Sequence, residues 1–438
     1  MTNDQVGSLT AAQVASLSTG QIGTLTSTEV QSFTTTQADA LTSTQLGTLT
    51  TTALGLLSSD QIGALSTTQL RSLTTTQLNA LSVDSLDAVD VTKATTTQIV
   101  GLTTTAIGQL SEAQVGAFST SQIANLSTGQ IGVLTSAEIQ SFTTTQANAL
   151  TSTQLGGLTT TALGLLSSDQ IGALSTTQLQ GLTTTQLNSL SVDMLNALDV
   201  SKASSTQVAG LTTTAVGQLL EAQVSALTTD QIANLSTSQI DTLTSTEIQN
   251  FTTTQAAALT GTQLGGLTTT DLGRFSTDQI GALTTAQVQG LTTGQLNTLN
   301  AALLDTLDLA KFSGDQVVGL TTTSVGSLTD AQIGALTATQ VSVLSVDQLA
   351  ALTTTEFSNF NTDQAAALTS TQVAGLTTTY FAALSATTGI PALSADAIAG
   401  ISTDDILSLS TDQGNAFTQA QIDVMSSDQR TALIGLLA

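Results

Sequence analysis

A helix cap that returns every eight residues constrains this chain more than any other feature. Gln recurs at Gln61, Gln69 and Gln77, and again at Gln114, Gln122 and Gln130, each step being eight residues. A typical unit is Thr74-Thr75-Thr76-Gln77-Leu78-Asn79-Ala80-Leu81. Position 1 is Ser or Thr, position 4 is usually Gln or Glu, and positions 5 and 8 are apolar. Thr74 and Gln77 have the spacing of a capping box, and Leu73 and Leu78 that of a hydrophobic staple. Each unit therefore carries both devices for starting a helix, and the next cap starts another. Eight residues at about 100° each also rotate the apolar stripe by about 80° per unit, so one long amphipathic helix would have no straight face.

The expected fold is all-α: very short N-capped helices, one per eight-residue repeat, stacked as a solenoid. Asp60, Asp169 and Asp315 at N2 and Glu29, Glu138 and Glu247 at N3 place negative charge at the positive helix end. Helices of about six residues are marginal alone, so they must stack around a continuous Leu/Ile/Val core. Small residues at positions 6 and 7 would let neighbouring helices approach closely. The rival is a β-solenoid, since Thr, Val and Ile favour strands. Against it, the apolar spacing alternates three and five and shows no period of two.

A longer period overlies the octads. Phe33, Phe142, Phe251 and Phe360 recur at a constant interval of 109, and residues 42–70 and 151–179 differ only at Thr48 against Gly157. Thirteen octads and one five-residue piece make up this length. The odd piece is Asp90-Val91-Thr92-Lys93-Ala94, with copies Asp199 to Ala203 and Asp308 to Phe312. Its Asp could cap a truncated turn that resets the phase of the stack. The fourth copy is degenerate, with Pro391 in a nine-residue unit, Ser385 to Leu393. No linker or composition shift interrupts residues 1–438. The chain reads as one continuous array with long repeats of 1–94, 95–203, 204–312 and 313–438.

Composition narrows the chemistry. The chain has no Cys and no His, six Lys plus Arg, and 31 Asp plus Glu, for a net charge of −25. Thiolate and imidazole chemistry are excluded. Phosphate backbones would be repelled, so nucleic acid is not an expected partner. No apolar run approaches the length of a membrane span. Ser without an activating base is no nucleophile, and the glycines form no phosphate loop, so no catalytic residue and no enzyme activity are expected. No cofactor site stands out. Calcium is the one ion the carboxylates could collect, at Asp404-Asp405 or Asp305/Asp308, yet no calcium-loop motif is present.

The residues singled out for contacts between copies are Lys93, Lys202 and Lys311, which recur every 109, together with Met1, Leu433, Leu436 and Leu437. The bland reading of the lysines is pairing with nearby Asp90 or Asp87. The ends look uncapped, since the octads begin at Met1 and Thr431 to Ala438 is strongly apolar. Ends of this kind would stack head to tail on other copies; alternatively the apolar tail folds over the last coil.

The tiled units Leu73 to Leu81 and Leu174 to Leu182 resemble Thr/Ser-rich repeat arrays in large secreted or surface proteins of Gram-negative bacteria, described as adhesin-like. The acidic, Cys-free composition is also similar to that of surface-layer proteins and type I secretion substrates. The resemblance implies an extracellular or cell-surface location with a C-terminal secretion signal, which agrees with a start, MTNDQVGS, that lacks the features of a signal peptide. The expected function is a non-enzymatic structural protein, a homopolymer forming a filament or surface layer. The alternatives are an adhesin-type module presenting a Thr-rich face to a glycan, a cell surface or ice, and a cytoplasmic scaffold for a protein partner.

Overall fold

The computed structural model describes residues 2–438. Among them are 51 short α-helices, three 3₁₀ turns and no strand. Every α-helix is four to six residues long except the last, Ser427–Leu437. The cap explains each start. In Thr67–Ser72 the N-cap Ser66 is extended, its hydroxyl accepts from the Gln69 amide at 3.3 Å, and the Gln69 side chain accepts from the Ser66 amide at 2.8 Å. The stop is equally local. Leu73, at φ −71° and ψ 138°, leaves the helix and points into the core, and Thr74 is the next cap. Two consecutive extended residues make the corner.

The chain forms two compact units, Met1–Gln223 and Val224–Ala438, of the same construction. Within each, a helix packs against the third helix after it. Thr19–Gly23 lies on Ser43–Thr48, which lies on Thr67–Ser72, each start three octads after the last; Gly261–Gly266 lies on Thr285–Gly290 in the same way. Three octads therefore make one turn, and the cross-section is a triangle with a helix on each side. Positions 5 and 8 fill its interior: Leu46, Leu49, Leu70 and Leu73 are buried, as are their counterparts along the array. Burial of two such side chains per octad supplies the drive that six-residue helices lack on their own, at about 1.5–3 kcal/mol each.

Glycine serves here by having no side chain. No described residue has a positive φ. A Cβ on Gly290 would lie 2.5 Å from the Gly261 carbonyl carbon and closer still to that residue's oxygen and Cα. A Cβ on Gly156 would meet the Gly181 carbonyl oxygen at 2.5 Å. The small residues at positions 6 and 7 thus set the spacing between stacked sides.

The five-residue piece is a shortened side of the triangle. Asp199 caps the 3₁₀ turn Val200–Lys202, and Asp308 caps Leu309–Lys311. A coil that contains the piece is three residues shorter than an ordinary one, so Thr75–Asn79 packs against Thr96–Val100. The nine-residue unit around Pro391 forms a third 3₁₀ turn, Ile390–Ala392, and its coil is one residue longer than usual, as Ser370–Gly375 packs against Ala395–Ile398. Thirteen octads and one short piece give fourteen sides per long repeat, which three does not divide. The column of lysines in the sequence is consequently no column in space: within Met1–Gln223, Lys202 lies two sides further round the triangle than Lys93.

Candidate functional site

Short helices have a difficulty that the cap alone does not solve. Each ends after one turn or so and leaves carbonyls without amide partners. The Gln at position 4 answers it across the stack. Gln295 is buried, and its Oε1 accepts from the Thr292 amide at 2.8 Å. Its Nε2 donates at 2.8 Å to both Leu264 O and Leu267 O of the preceding coil. Gln154 does the same to Ile123 O and Leu126 O, and Gln372 to Val341 O and Leu344 O. The carbonyls lie 31 and 28 residues earlier. Across a shortened side the offsets fall to 28 and 25, as for Gln98 to Leu70 O and Leu73 O. One side chain therefore starts its own helix and finishes another, making a ladder of amide rungs up the corners.

The lysines belong to this ladder. Lys93 Nζ donates to Leu65 O at 3.1 Å, Lys202 Nζ to Leu174 O at 3.4 Å, and Lys311 Nζ to Leu283 O at 2.7 Å, each 28 residues back. On a side too short to hold a Gln, the longer ammonium arm makes the rung. The expected carboxylate pairing is present but loose: Lys93 to Asp90 and Lys202 to Asp199 are both 3.6 Å, and half-exposed pairs of this kind contribute little. Asp90 is held below the usual carboxylate range chiefly by the Thr92 hydroxyl, and Asp199 by that of Ser201. A depressed carboxylate stabilises the fold above its unfolded value, and that contribution fades on acidification through the folded one. Lys311→Met is expected to cost about 1–2 kcal/mol by orphaning the Leu283 carbonyl. The urea midpoint should fall with the helical signal intact, and by a similar amount at high salt, because the lost partner is a carbonyl.

An outer clamp that sequence reasoning missed spans the shortened coil. Asn79 Nδ2 donates to Gly101 O at 2.9 Å while its Oδ1 accepts from the Thr103 amide at 2.8 Å. Asn188 and Asn297 repeat this pair of bonds with Gly210 and Thr212, and with Gly319 and Thr321. Its signal was an Asn returning once per long repeat, in the second octad before the odd piece. Tyr380 is another substitute rung: its hydroxyl donates to Ala350 O at 2.7 Å or Leu352 O at 2.8 Å, and its ring meets Phe357 edge-on.

Some positions break the ladder. Ala53 and Ala106 have nothing to donate, and Glu138 caps through the Thr135 amide but has no N–H to offer. Asp271 is a further break. Its carboxylate is buried and bonded to Arg274 and Thr268, and it stands where a Gln would reach Leu243 O. Asp241 has its pKa raised, first by burial and then by the charge on Asp271. A raised carboxylate is disfavoured in its ionised form, so stability is lost as pH climbs through that range. Asp271→Gln removes the repulsion and supplies a donor. Because it also breaks the Arg274 pair, its clean readout is the Asp241 titration observed by NMR, which is expected to move to lower pH.

At the C-terminal end of Val224–Ala438 the helix Ser427–Leu437 runs on where other sides turn a corner. It rests on Thr403–Ser408 and Thr411–Asn415. Leu433 is buried, and Leu436 and Leu437 fill the space above Gly414, where a Cβ would meet their Cδ2 atoms at 2.8 and 3.1 Å. Arg430 Nη1 donates to Met425 O at 2.7 Å. At the other end, Gln5, Gln13 and Gln21 are exposed, with Oε1 engaged at their own caps. Met1 lies outside the described residues. Of the carboxylates considered for calcium, Asp405 accepts from the Ser402 amide and hydroxyl, and Asp308 from the Ala310 amide. Among the described residues no three acidic side chains are grouped to hold a metal ion. Among them, too, no helix is long and apolar enough to cross a membrane.

Seven stretches of the chain match the family described as the ALTTAQ repeat: residues 55–90, 95–128, 123–160, 148–176, 155–184, 267–301 and 341–378. They establish a tandem repeat array. No curated protein matches the chain. Among solved structures, the leucine-rich repeat-containing protein LegL7 from Legionella pneumophila is similar at 13% identity, over 52% of this chain and 79% of that one, with a TM-score of 0.13.

Proposed function

We propose that this is a non-enzymatic structural protein that assembles end to end into a filament or layer outside the cell. The observation that carries the reading is the ladder, in which each coil is fastened to the one before it, as Gln295 is to Leu264 O and Leu267 O. Stacking of copies would use the same amide-to-carbonyl contact that joins coils within each unit, as from Gln154 to Ile123 O and Leu126 O. The contact is heterologous and propagates unless it closes into a ring. Negative-stain microscopy and equilibrium sedimentation of the full chain test it, with regular filaments or sheets expected. Discrete 44.2 kDa particles at every concentration would overturn it.

A second reading is an adhesin-type surface, supported by the exposed hydroxyls of N1 and N2 residues such as Thr35, Thr36 and Thr104. They fall on every side of the triangle, which suits a hydrated exterior as well as a ligand face. Binding on a glycan array, or thermal hysteresis, by a chain that stays monomeric would favour it over assembly.

A further inference from the structure

We propose that the groove beside Arg71 binds a sugar acid, with its carboxylate on the Arg71 guanidinium and its ring hydroxyls on the Thr and Ser hydroxyls around it. The inference rests on the adhesin-type reading above and gives it a site and a ligand class. The first observation is a surplus charge. Arg71 Nε donates to Lys93 O at 3.0 Å, which ties the side chain to the shortened side. At the equivalent place in the next long repeat Gln180 Nε2 makes the same bond, to Lys202 O at 3.1 Å, and the third long repeat has Gln289 there. The fold therefore uses an N–H at this place and has no need of a charge. The two outer nitrogens of Arg71 bond to no described residue, and no described carboxylate pairs with it, in a chain of 31 Asp plus Glu. Asp90, the acid of the shortened side, is committed to Thr92 and Lys93.

The second observation is the groove itself. Its volume is about 470 Å³, and Arg71 shares its walls with Thr92, Thr96, Ser119 and Ser121. That volume suits a small ligand. Thr95 and Ser119 spend their hydroxyls on their own caps, whereas those of Thr96 and Ser121 are bonded to no described residue. Such hydroxyls can both donate and accept, as those of a sugar do. A guanidinium offers two parallel N–H bonds that match a carboxylate. Charge and hydroxyls also go together along the chain. The second long repeat has Asp230 where the first has Ser121, alongside Gln180; the third has Ala310 and Gly314 in place of Thr92 and Thr96, alongside Gln289. Elsewhere in Met1–Gln223 a groove of about 670 Å³ is lined by Asp60, Asp84 and Asp87, which would repel an anion. The net charge of −25 repels polyanions from the whole chain, so the ligand is a mostly neutral saccharide that carries one acid.

The test uses the full chain and three immobilised probes: a neutral oligosaccharide bearing a single glucuronate, its methyl ester, and its counterpart with glucose in place of the acid. Arg71→Gln is the central variant, because Gln180 shows that Gln keeps the bond to the shortened side. Ser121→Asp sets a negative charge in the groove without touching Arg71. Circular dichroism confirms that helix content is kept. The parent chain is expected to bind the acid at least about tenfold more tightly than the ester or the glucose form, and each variant to lose at least about tenfold for the acid. Neutral and acid probes bound alike, or an Arg71→Gln chain that binds the acid as the parent does, would overturn the site and leave the adhesin-type reading standing. A parent chain that binds no saccharide on this or a wider glycan array would overturn both. Loss of self-association in Arg71→Gln, measured by sedimentation, with glycan binding unchanged, would overturn the sugar acid in favour of a carboxylate from another copy.

Discussion

Gln295→Ala is expected to lower stability by about 2–4 kcal/mol, out of proportion to the loss of one uncharged side chain. The Leu267 carbonyl is left buried without a donor, at about 1–3 kcal/mol, and the Thr292 amide loses its acceptor, at about 1 kcal/mol. Gln295→Glu separates the two jobs. The carboxylate still caps Thr292 but sets a negative oxygen against two carbonyl oxygens, so neutral pH should show a loss and acid should recover part of it, because a protonated carboxyl can donate. Glu138→Gln is the converse and should gain about 1 kcal/mol by adding a rung. A repeat array unfolds in neighbouring segments, so the effect should be read by hydrogen exchange of the flanking coils as well as by the urea midpoint. Equal exchange rates in parent and Gln295→Ala would remove the ladder from the account of stability.

The second large effect is expected at Gly290. The atoms that an added Cβ would strike are all Gly261 backbone, which cannot rotate away. Gly290→Ala must therefore separate Gly261–Gly266 from Thr285–Gly290, at about 3 kcal/mol, the upper part of the usual range for overpacking. Gly132 is the control. It ends a helix, has a negative φ, and has nothing within 4 Å of where a Cβ would go, so Gly132→Ala should stabilise by about 0.4–1 kcal/mol. If both glycines respond alike, close approach of the coils is not what glycine provides here.

The helices, their caps and the buried positions were legible in the octad because those causes are local. Thr74 and Gln77 predict a helix start without knowledge of what lies beyond, and the small residues at positions 6 and 7 predict close stacking. The number of sides per coil was not legible, because the period of eight repeats whatever the stack does next. It becomes visible only through bonds that reach back a whole coil, such as those from Gln295 to Leu264 and Leu267. A clue did exist. Glu would serve a capping box as well as Gln and would favour the positive helix end, yet Gln dominates position 4. That preference makes sense only if the N–H donors of the amide are in use. Lys93, Lys202 and Lys311 were read as pairs for Asp or contacts for another chain for the same reason: charge suggested a partner of opposite sign, whereas each ammonium spends a hydrogen on a main-chain carbonyl. The C-terminal leucines were legible as apolar, but the hole at Gly414 that receives them depends on which coil lies beneath.

The mismatch between fourteen sides and a three-sided coil bears on how such a chain can change its length in evolution. Because each side takes its partners from the coil before it, whatever the distance in long repeats, a duplication need not contain a whole number of turns to be inherited intact. One octad, or a block of fourteen sides, can be copied into the gene and the next corner still finds a carbonyl to meet. The same arithmetic forbids a stripe. Any residue introduced once per long repeat is carried to a different face in the following copy, so selection for a one-sided binding surface would have to favour blocks of twelve or fifteen sides. A family of such chains should then vary freely in octad number, and those that bind along one face should betray it by a block length that three divides.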